Sequence, residues 1–234
     1  MLSQDEAKRL AGVKAIEEFV RDGMKLGLGS GTTSHLFVRE LGKRVAGGMK
    51  LTCTTTSNST TAVAREVGIE LTDINDIGEL DLTIDGPDEI DHEFRMIKGG
   101  GACLLWEKIV AHASKRMITI CDESKIVDRL GRFPLPVEVV QYAWKQTERA
   151  IGRTLGNHGV GRIEMTRRMR DGTPVITDSG NFIIDCHCGS IGDPEGLELE
   201  LNRIPGVVEN GLFTRESAGM VVGCFDGNAY VKFR

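Results

Sequence analysis

No long run of lysine or arginine interrupts this 234-residue chain, and its formal net charge is −5. It therefore lacks the electrostatic footprint of a nucleic-acid-binding protein. That balance still admits a small anionic substrate, whose binding depends on a local cluster of donors and cations. No stretch approaches the roughly 20 apolar residues needed to cross a bilayer, so no membrane partner is expected. The first residues, MLSQDEAKRL, are charged throughout and contain no apolar core, so they do not read as a secretory signal. Cys53, Cys103, Cys121, Cys186, Cys188 and Cys224 show no CxxC spacing. Only Cys186 and Cys188, flanking His187, merit weighing as metal ligands, and no second ligand cluster accompanies them. The expectation is a reduced, cytoplasmic protein.

What is present is a soluble, periodic chain, 40% apolar and 27% charged. Leu10, Val13, Ile16, Phe19 and Val20 recur at helical spacing, with Gly23 as a stop. MKLGLGSGTTS then reads as a strand entering a glycine-rich turn, followed by the helix HLFVRELGKRV. LTCTTTSNSTTAVAREVG repeats that plan. In ELDLTIDGPDE, Leu80, Leu82 and Ile84 alternate with Asp81, Thr83 and Asp85, a strand that ends in acids. CLLWEKIVAHAS is helical, and MITIC is a strand leading to the turn DESK. Strands alternating with helices at this spacing predict an α/β fold with an open, mostly parallel sheet covered on both faces. Ligands of such sheets bind beyond the carboxyl ends of the strands. The turns Gly29–Thr33, Thr55–Ser59, Asp85–Glu89 and Asp122–Lys125 are therefore expected to converge.

The texture changes at GRFPLPVEVV, where Pro134 and Pro136 break helix and remove ladder donors. Beyond it the pattern gives a helix over Gln146–Leu155, a hairpin about DSGN with TPVIT and FIID as its arms, and a second helix in EGLELELNRI. The expected domains are 1–131 plus 206–234, and a smaller inserted α+β part at 132–205 serving as lid or oligomerisation element. The C-terminal strands are expected to return to the first sheet.

Three places could carry chemistry. GLGSGTTS offers backbone N–H groups and the hydroxyls of Ser30, Thr32, Thr33 and Ser34 at a helix N-terminus, a cradle for phosphate. Its spacing is not GxGxxG and it has no Walker lysine, so a dinucleotide or nucleoside triphosphate is disfavoured. An ordinary capped turn is the bland alternative. In DGPDEID, the acids Asp85, Asp88, Glu89 and Asp91 could hold Mg²⁺, move protons, or simply solvate a turn, and Asp91 reads as a surface acid. Asp85 ends an apolar strand, and Gly86–Pro87 forces a defined turn that presents Asp88. In KGGGACLLWEK, Lys98 and Gly99, Gly100 and Gly101 supply a cation and N–H groups where negative charge could develop. Glu107, six residues past Gly101, is placed to act as a carboxylate base on a carbon next to a carbonyl. Taken alone, Glu107 would be an exposed helix residue and Lys125 a solvated lysine. His35, His92, His112, His158 and His187 share no motif.

GLGSGTTS, TIDGPDEID, MIKGGGACLLWEKIV, DESK, FPLPVEV and IPGVVENGLF, in that order and spacing, closely resemble ribose-5-phosphate isomerase of type A over nearly the whole chain. That resemblance implies a Rossmann-like open sheet and a metal-free, cofactor-free interconversion of ribose 5-phosphate and ribulose 5-phosphate through an enediolate. The reaction belongs to the non-oxidative branch of the pentose phosphate pathway, and a homo-oligomer, dimer or tetramer, is implied. Ser30, Gly31, Thr32 and Thr33 would line the substrate site. Asp85, Gly86, Pro87 and Asp88, with Lys98 to Gly101, would bind and orient the sugar, Asp85 assisting ring opening. Glu107 would carry the proton, Lys98 would stabilise the oxyanion, and Lys125 would bind substrate through its phosphate. Ser30 stands where threonine is more usual, Pro87 where a small residue is, and Trp106 where arginine is.

Two other classes compete. A sugar-phosphate sensor would need no base but would carry a helix-turn-helix, and only one helix fits before the first strand. An acyl transferase on a related sheet would not account for Lys98 together with the triple glycine.

Overall fold

A computed structural model of the chain describes residues 1–160 and 164–234. Helix α1 (Gln4–Phe19) is closed by a capping box, Ser3 Oγ accepting from the Glu6 N–H while the Glu6 carboxylate accepts from the Ser3 N–H at 2.7 Å. Strands and helices then alternate: β1 (Lys25–Leu28), α2 (Thr32–Ala46), β2 (Thr52–Thr55), α3 (Asn58–Glu66), α4 (Ile74–Ile77) and β3 (Leu82–Asp85). Short strands β4 (Glu89–Ile90) and β5 (Met96–Ile97) precede α5 (Leu104–His112) and β6 (Met117–Asp122). Next come β7 (Leu135–Val139), α6 (Trp144–Asn157), β8 (Glu164–Arg167), β9 (Met169–Arg170), β10 (Thr173–Pro174) and β11 (Phe182–His187). The chain ends with α7 (Pro194–Asn202), β12 (Val207–Asn210), β13 (Leu212–Phe213), β14 (Ser217–Gly223) and β15 (Ala229–Phe233).

The chain forms two compact units, the first made of 1–87, 106–126 and 215–234, the second of 88–105 and 127–214. The sequence pattern suggested divisions at 132 and 205; the structural ones fall at 127 and 214, and 88–105 joins the second unit because β5 pairs with β13.

The first unit holds a six-stranded sheet in the order β15-β14-β6-β3-β1-β2. All neighbours are parallel except the edge pair β14–β15, so the C-terminal strands do return to the first sheet. Alternation sends Leu26, Leu28, Leu82, Ile84, Ile118, Ile120 and Val221 to one face, where they meet α1 through Ala11, Ala15 and Ile16 and α2 through Phe37, Val38 and Leu41. On the other face α5 lies close: a Cβ on Gly27 would stand 2.6 Å from Val110.

The second unit is a four-stranded antiparallel sheet, β12-β7-β11-β8, with α6 and α7 on one face and Val137, Val139, Ile184, Ile151 and Leu197 in its core. Pro136 lies within β7, an inner strand, although proline removes a ladder donor. The loss is covered, since the Gly211 carbonyl on that side accepts instead from the Lys98 N–H at 2.9 Å, while Gly211 N–H donates to Pro136 O at 2.8 Å. The expected TPVIT–FIID hairpin reduces to one bridge, Ile176 to Phe182. Both edges of β11 are already occupied by β7 and β8, and β10 pairs with β9. Among the described residues no helix is long and apolar enough to cross a membrane.

Candidate active site

The parallel register puts the ends of β1, β2, β3 and β6, and the turns that follow them, at one edge of the first sheet. Asp85, fully buried at the end of β3, organises two of these turns. Its Oδ1 accepts from Ser30 N–H at 2.9 Å, Ser34 Oγ at 2.9 Å and Gly86 N–H at 2.7 Å. Gly29 is required beside it, because a Cβ there would fall 2.1 Å from that carboxylate oxygen. The Ser30 hydroxyl turns away into a buried cluster with Thr56 (2.7 Å), Ser57 (2.7 Å) and Thr60 (3.0 Å). Ser30 thus ties the turn after β1 to the turn after β2. Gly31, at φ 93°, is the N-cap of α2 and brings no side-chain cap, so the first-turn N–H groups of this 15-residue helix are presented without an internal acceptor from the cap.

A cation omitted by the sequence reading stands at this turn. Lys8 of α1 is 7% exposed and donates from Nζ to Thr32 Oγ1 at 3.1 Å. Its signal was a lysine on the same helical stripe as the buried Ala11, Ala15 and Phe19. Lys125 is half-buried in the 3₁₀ turn after β6, a turn capped by the Asp122 carboxylate accepting from Ser124 N–H.

In the second unit Lys98 is 1% exposed, with its ammonium 5.5 Å from the centre of the Phe213 ring. Gly99 follows at φ 104°, and a Cβ there would meet Leu104 at 2.9 Å. Gly100 N–H donates to Asp88 Oδ2 at 2.7 Å. Asp88 and Asp85 both accept from backbone donors. Asp91 corrects the surface reading: it is 2% exposed and accepts from Glu93 N–H, Arg95 N–H and Arg95 Nε. Glu89 is likewise buried, accepting from Gly131 and Phe133 N–H. Both acids fix loops of the second unit.

Glu107 lies in the first turn of α5 and is only 5% exposed, so it is not the exposed helix residue its neighbours suggested. Trp106 beside it lines a cavity of about 580 Å³ under the edge strand, with Thr54, Arg65 and Ile109. Pro87 is buried and Gly86 half-buried, while Gly101 is exposed. Strand alternation separates the candidate metal ligands: Cys186 enters the core of the second unit and His187 is exposed on the opposite face. His35 touches Thr60 Oγ1 at 3.3 Å, and burial, with Arg39 adding to it, pushes its pKa down.

An open, mostly parallel sheet with a glycine-rich turn after β1 and a buried carboxylate, Asp85, at the end of β3 defines a protein of the open-sheet α/β class. The family description "Ribose 5-phosphate isomerase A (phosphoriboisomerase A)" matches residues 52–227. Ribose-5-phosphate isomerase A 2 of Yersinia pseudotuberculosis is 69% identical over 232 residues, covering 99% of this chain and 98% of its own. Ribose-5-phosphate isomerase A of Parvibaculum lavamentivorans is 49% identical, covering 99% and 100%. Among solved structures, ribose 5-phosphate isomerase from Plasmodium falciparum superposes with a TM-score of 0.92 at 31% identity, over 98% of this chain and 99% of its own. A D-ribose-5-phosphate isomerase in complex with phospho-erythronic acid gives 0.91 at 36% identity, over 100% of both chains. The chain belongs to the ribose-5-phosphate isomerase A family and is an enzyme of the isomerase class.

Proposed function

We propose that this enzyme interconverts D-ribose 5-phosphate and D-ribulose 5-phosphate through a cis-enediolate, with Glu107 as the base. The observation that carries the assignment is the burial of Glu107 in the first turn of the helix that follows the Lys98–Gly101 loop. The α2 N-terminus, Thr32, Thr33, Lys8 and Lys125 offer the phosphate N–H groups, hydroxyls and two ammonium groups. Asp85 acts through its Oδ2 in ring opening, moving the C1 hydroxyl proton toward the ring oxygen. Glu107 then takes the proton from C2 of the open aldose. The charge that develops on the C1 oxygen is met by the Lys98 ammonium and the glycine N–H groups. Return of the proton from Glu107 to C1, with transfer of the O2 proton to O1, completes the ketose. Phospho-erythronic acid, bound by a relative, carries a planar carboxylate beside a hydroxyl-bearing carbon and so has the shape of the enediolate end. We read the protein as a cytoplasmic dimer or tetramer, which light scattering tests.

Glu107→Gln should lower kcat by about 10³-fold or more while binding of phospho-erythronic acid remains measurable. NMR in D₂O follows both: ketose formation with deuterium entering at C1 for the wild type, and none for the variant. Near-normal turnover by Glu107→Gln would remove the base assignment.

A further inference from the structure

The triple-glycine loop is gripped from its carbonyl side by a residue about 70 positions further along the chain. Arg168 Nη1 donates to Gly99 O at 2.7 Å and to Gly100 O at 3.1 Å. The same guanidinium is held on its other edge by Asp185, with Nε donating to Oδ2 at 2.8 Å and Nη2 to Oδ1. Both side chains are largely buried, at 14% and 15% exposure. Asp185 sits mid-strand in β11, on the face opposite the core residues Ile184 and Cys186, and pairs across to Pro136 and Thr166. The fork is therefore anchored on an inner strand of the second unit's sheet, paired on both sides.

Peptide planarity turns a grip on carbonyls into control of amides. Each trans peptide points its C=O and the following N–H in opposite directions. Fixing the Gly99 carbonyl thus aims the Gly100 N–H, which meets Asp88, and fixing the Gly100 carbonyl aims the Gly101 N–H. Among the described residues the Gly101 N–H meets no acceptor. Glycine has the widest backbone freedom, and this grip adds to two local restraints, Ala102 N–H donating to Gly99 O at 2.9 Å and Gly100 N–H to Asp88. A cation on the carbonyl oxygens also polarises both peptides and strengthens their N–H groups as donors.

We propose that Arg168, oriented by Asp185, is a positioning residue that keeps the Gly100 N–H on Asp88 and aims the Gly101 N–H for the oxyanion. It rests on the reading of this loop as the oxyanion site. A bidentate arginine is needed because one fork must meet a carboxylate and two carbonyls at once.

The test uses the full-length enzyme with Arg168→Ala, Arg168→Lys and the double variant Arg168→Met/Asp185→Leu. Arg168→Ala should lower kcat about 100-fold with KM for ribose 5-phosphate changed little, the scale of losing an oxyanion donor. Millimolar guanidinium chloride should restore part of that kcat. The double variant, which leaves no buried charge without its partner, should regain thermal stability but not turnover. Arg168→Lys, which keeps charge without the fork, should fold normally and still be slowed about tenfold. Amide exchange at Gly100, read by NMR without substrate, should accelerate in each variant. Full kcat in Arg168→Ala or in the double variant, or unchanged Gly100 exchange, would overturn the proposal. A wild-type chain that leaves ribose 5-phosphate unconverted would instead overturn the function on which it rests.

Discussion

Two glycine-rich loops of this chain are held by different kinds of partner. The turn after β1 is organised around an acceptor: the buried Asp85 carboxylate collects the N–H groups of Ser30 and Gly86 and the Ser34 hydroxyl. The Lys98–Gly101 loop is organised around a donor, the Arg168 guanidinium on two carbonyls. Glycine does different work in each. Gly29 makes room for a side chain, whereas Gly99 adopts a backbone conformation, φ 104°, that other residues avoid. Composition shows two similar glycine clusters; the partners that hold them give each its own failure mode.

The sharpest way to break this comparison is to add one methyl to each loop. Gly29→Ala places a Cβ 2.1 Å from Asp85 Oδ1 and must displace the carboxylate that organises both turns. We expect a loss of about 3 kcal/mol in denaturant unfolding and a collapse of kcat/KM. Gly99→Ala meets Leu104 at 2.9 Å and carries the strain of positive φ. Its cost should be smaller, about 2 kcal/mol, with a loss concentrated in kcat. Equal effects on stability and on both kinetic constants would erase the distinction between the loops.

Lys8→Met tests the proposed phosphate end. Its ammonium donates to Thr32 Oγ1 in the first loop at 3.1 Å. KM for ribose 5-phosphate should rise about tenfold with kcat nearly kept, the pattern of lost uniform binding. A fall in kcat with unchanged KM would move Lys8 out of the phosphate site.

The smallest effect concerns a second buried carboxylate, in a setting poorer than that of Asp85. Glu138 is 1% exposed; its Oε1 accepts from Thr177 Oγ1 and Asn181 Nδ2, and among the described residues its Oε2 meets no donor. Burial raises its pKa above the ordinary 4.5. With a raised value the folded state holds the proton more tightly than the unfolded chain, so stability falls as pH climbs from the ordinary value through the folded one. Glu138→Gln should therefore raise the melting temperature at pH 7, and the gain should shrink as the pH approaches 4.5. A gain that is equal at both ends of that range would place its cause elsewhere than in the charge.

How much was legible follows from the range of each interaction. The α/β alternation, the return of the C-terminal strands, the turn at Asp85 and the pairing of Lys98 with three glycines are local patterns of period and spacing. Asp91 is not legible as buried, because a turn acid looks solvated until Arg95 folds back on it. Pro136 looked like a boundary because only the fold supplies the Lys98 N–H that replaces its missing donor. The hairpin shrank because both edges of β11 were already taken.

By itself, then, the sequence determined which backbone could bend and where charge was stored, since glycine freedom and residue type belong to single positions. The tertiary structure decided what each charge faces. Lys8 reaches Thr32 across 24 residues and Arg168 reaches Gly99 across 69. Contacts of that reach exist only after the chain has closed, because no local periodicity encodes which distant side chain will meet a given peptide.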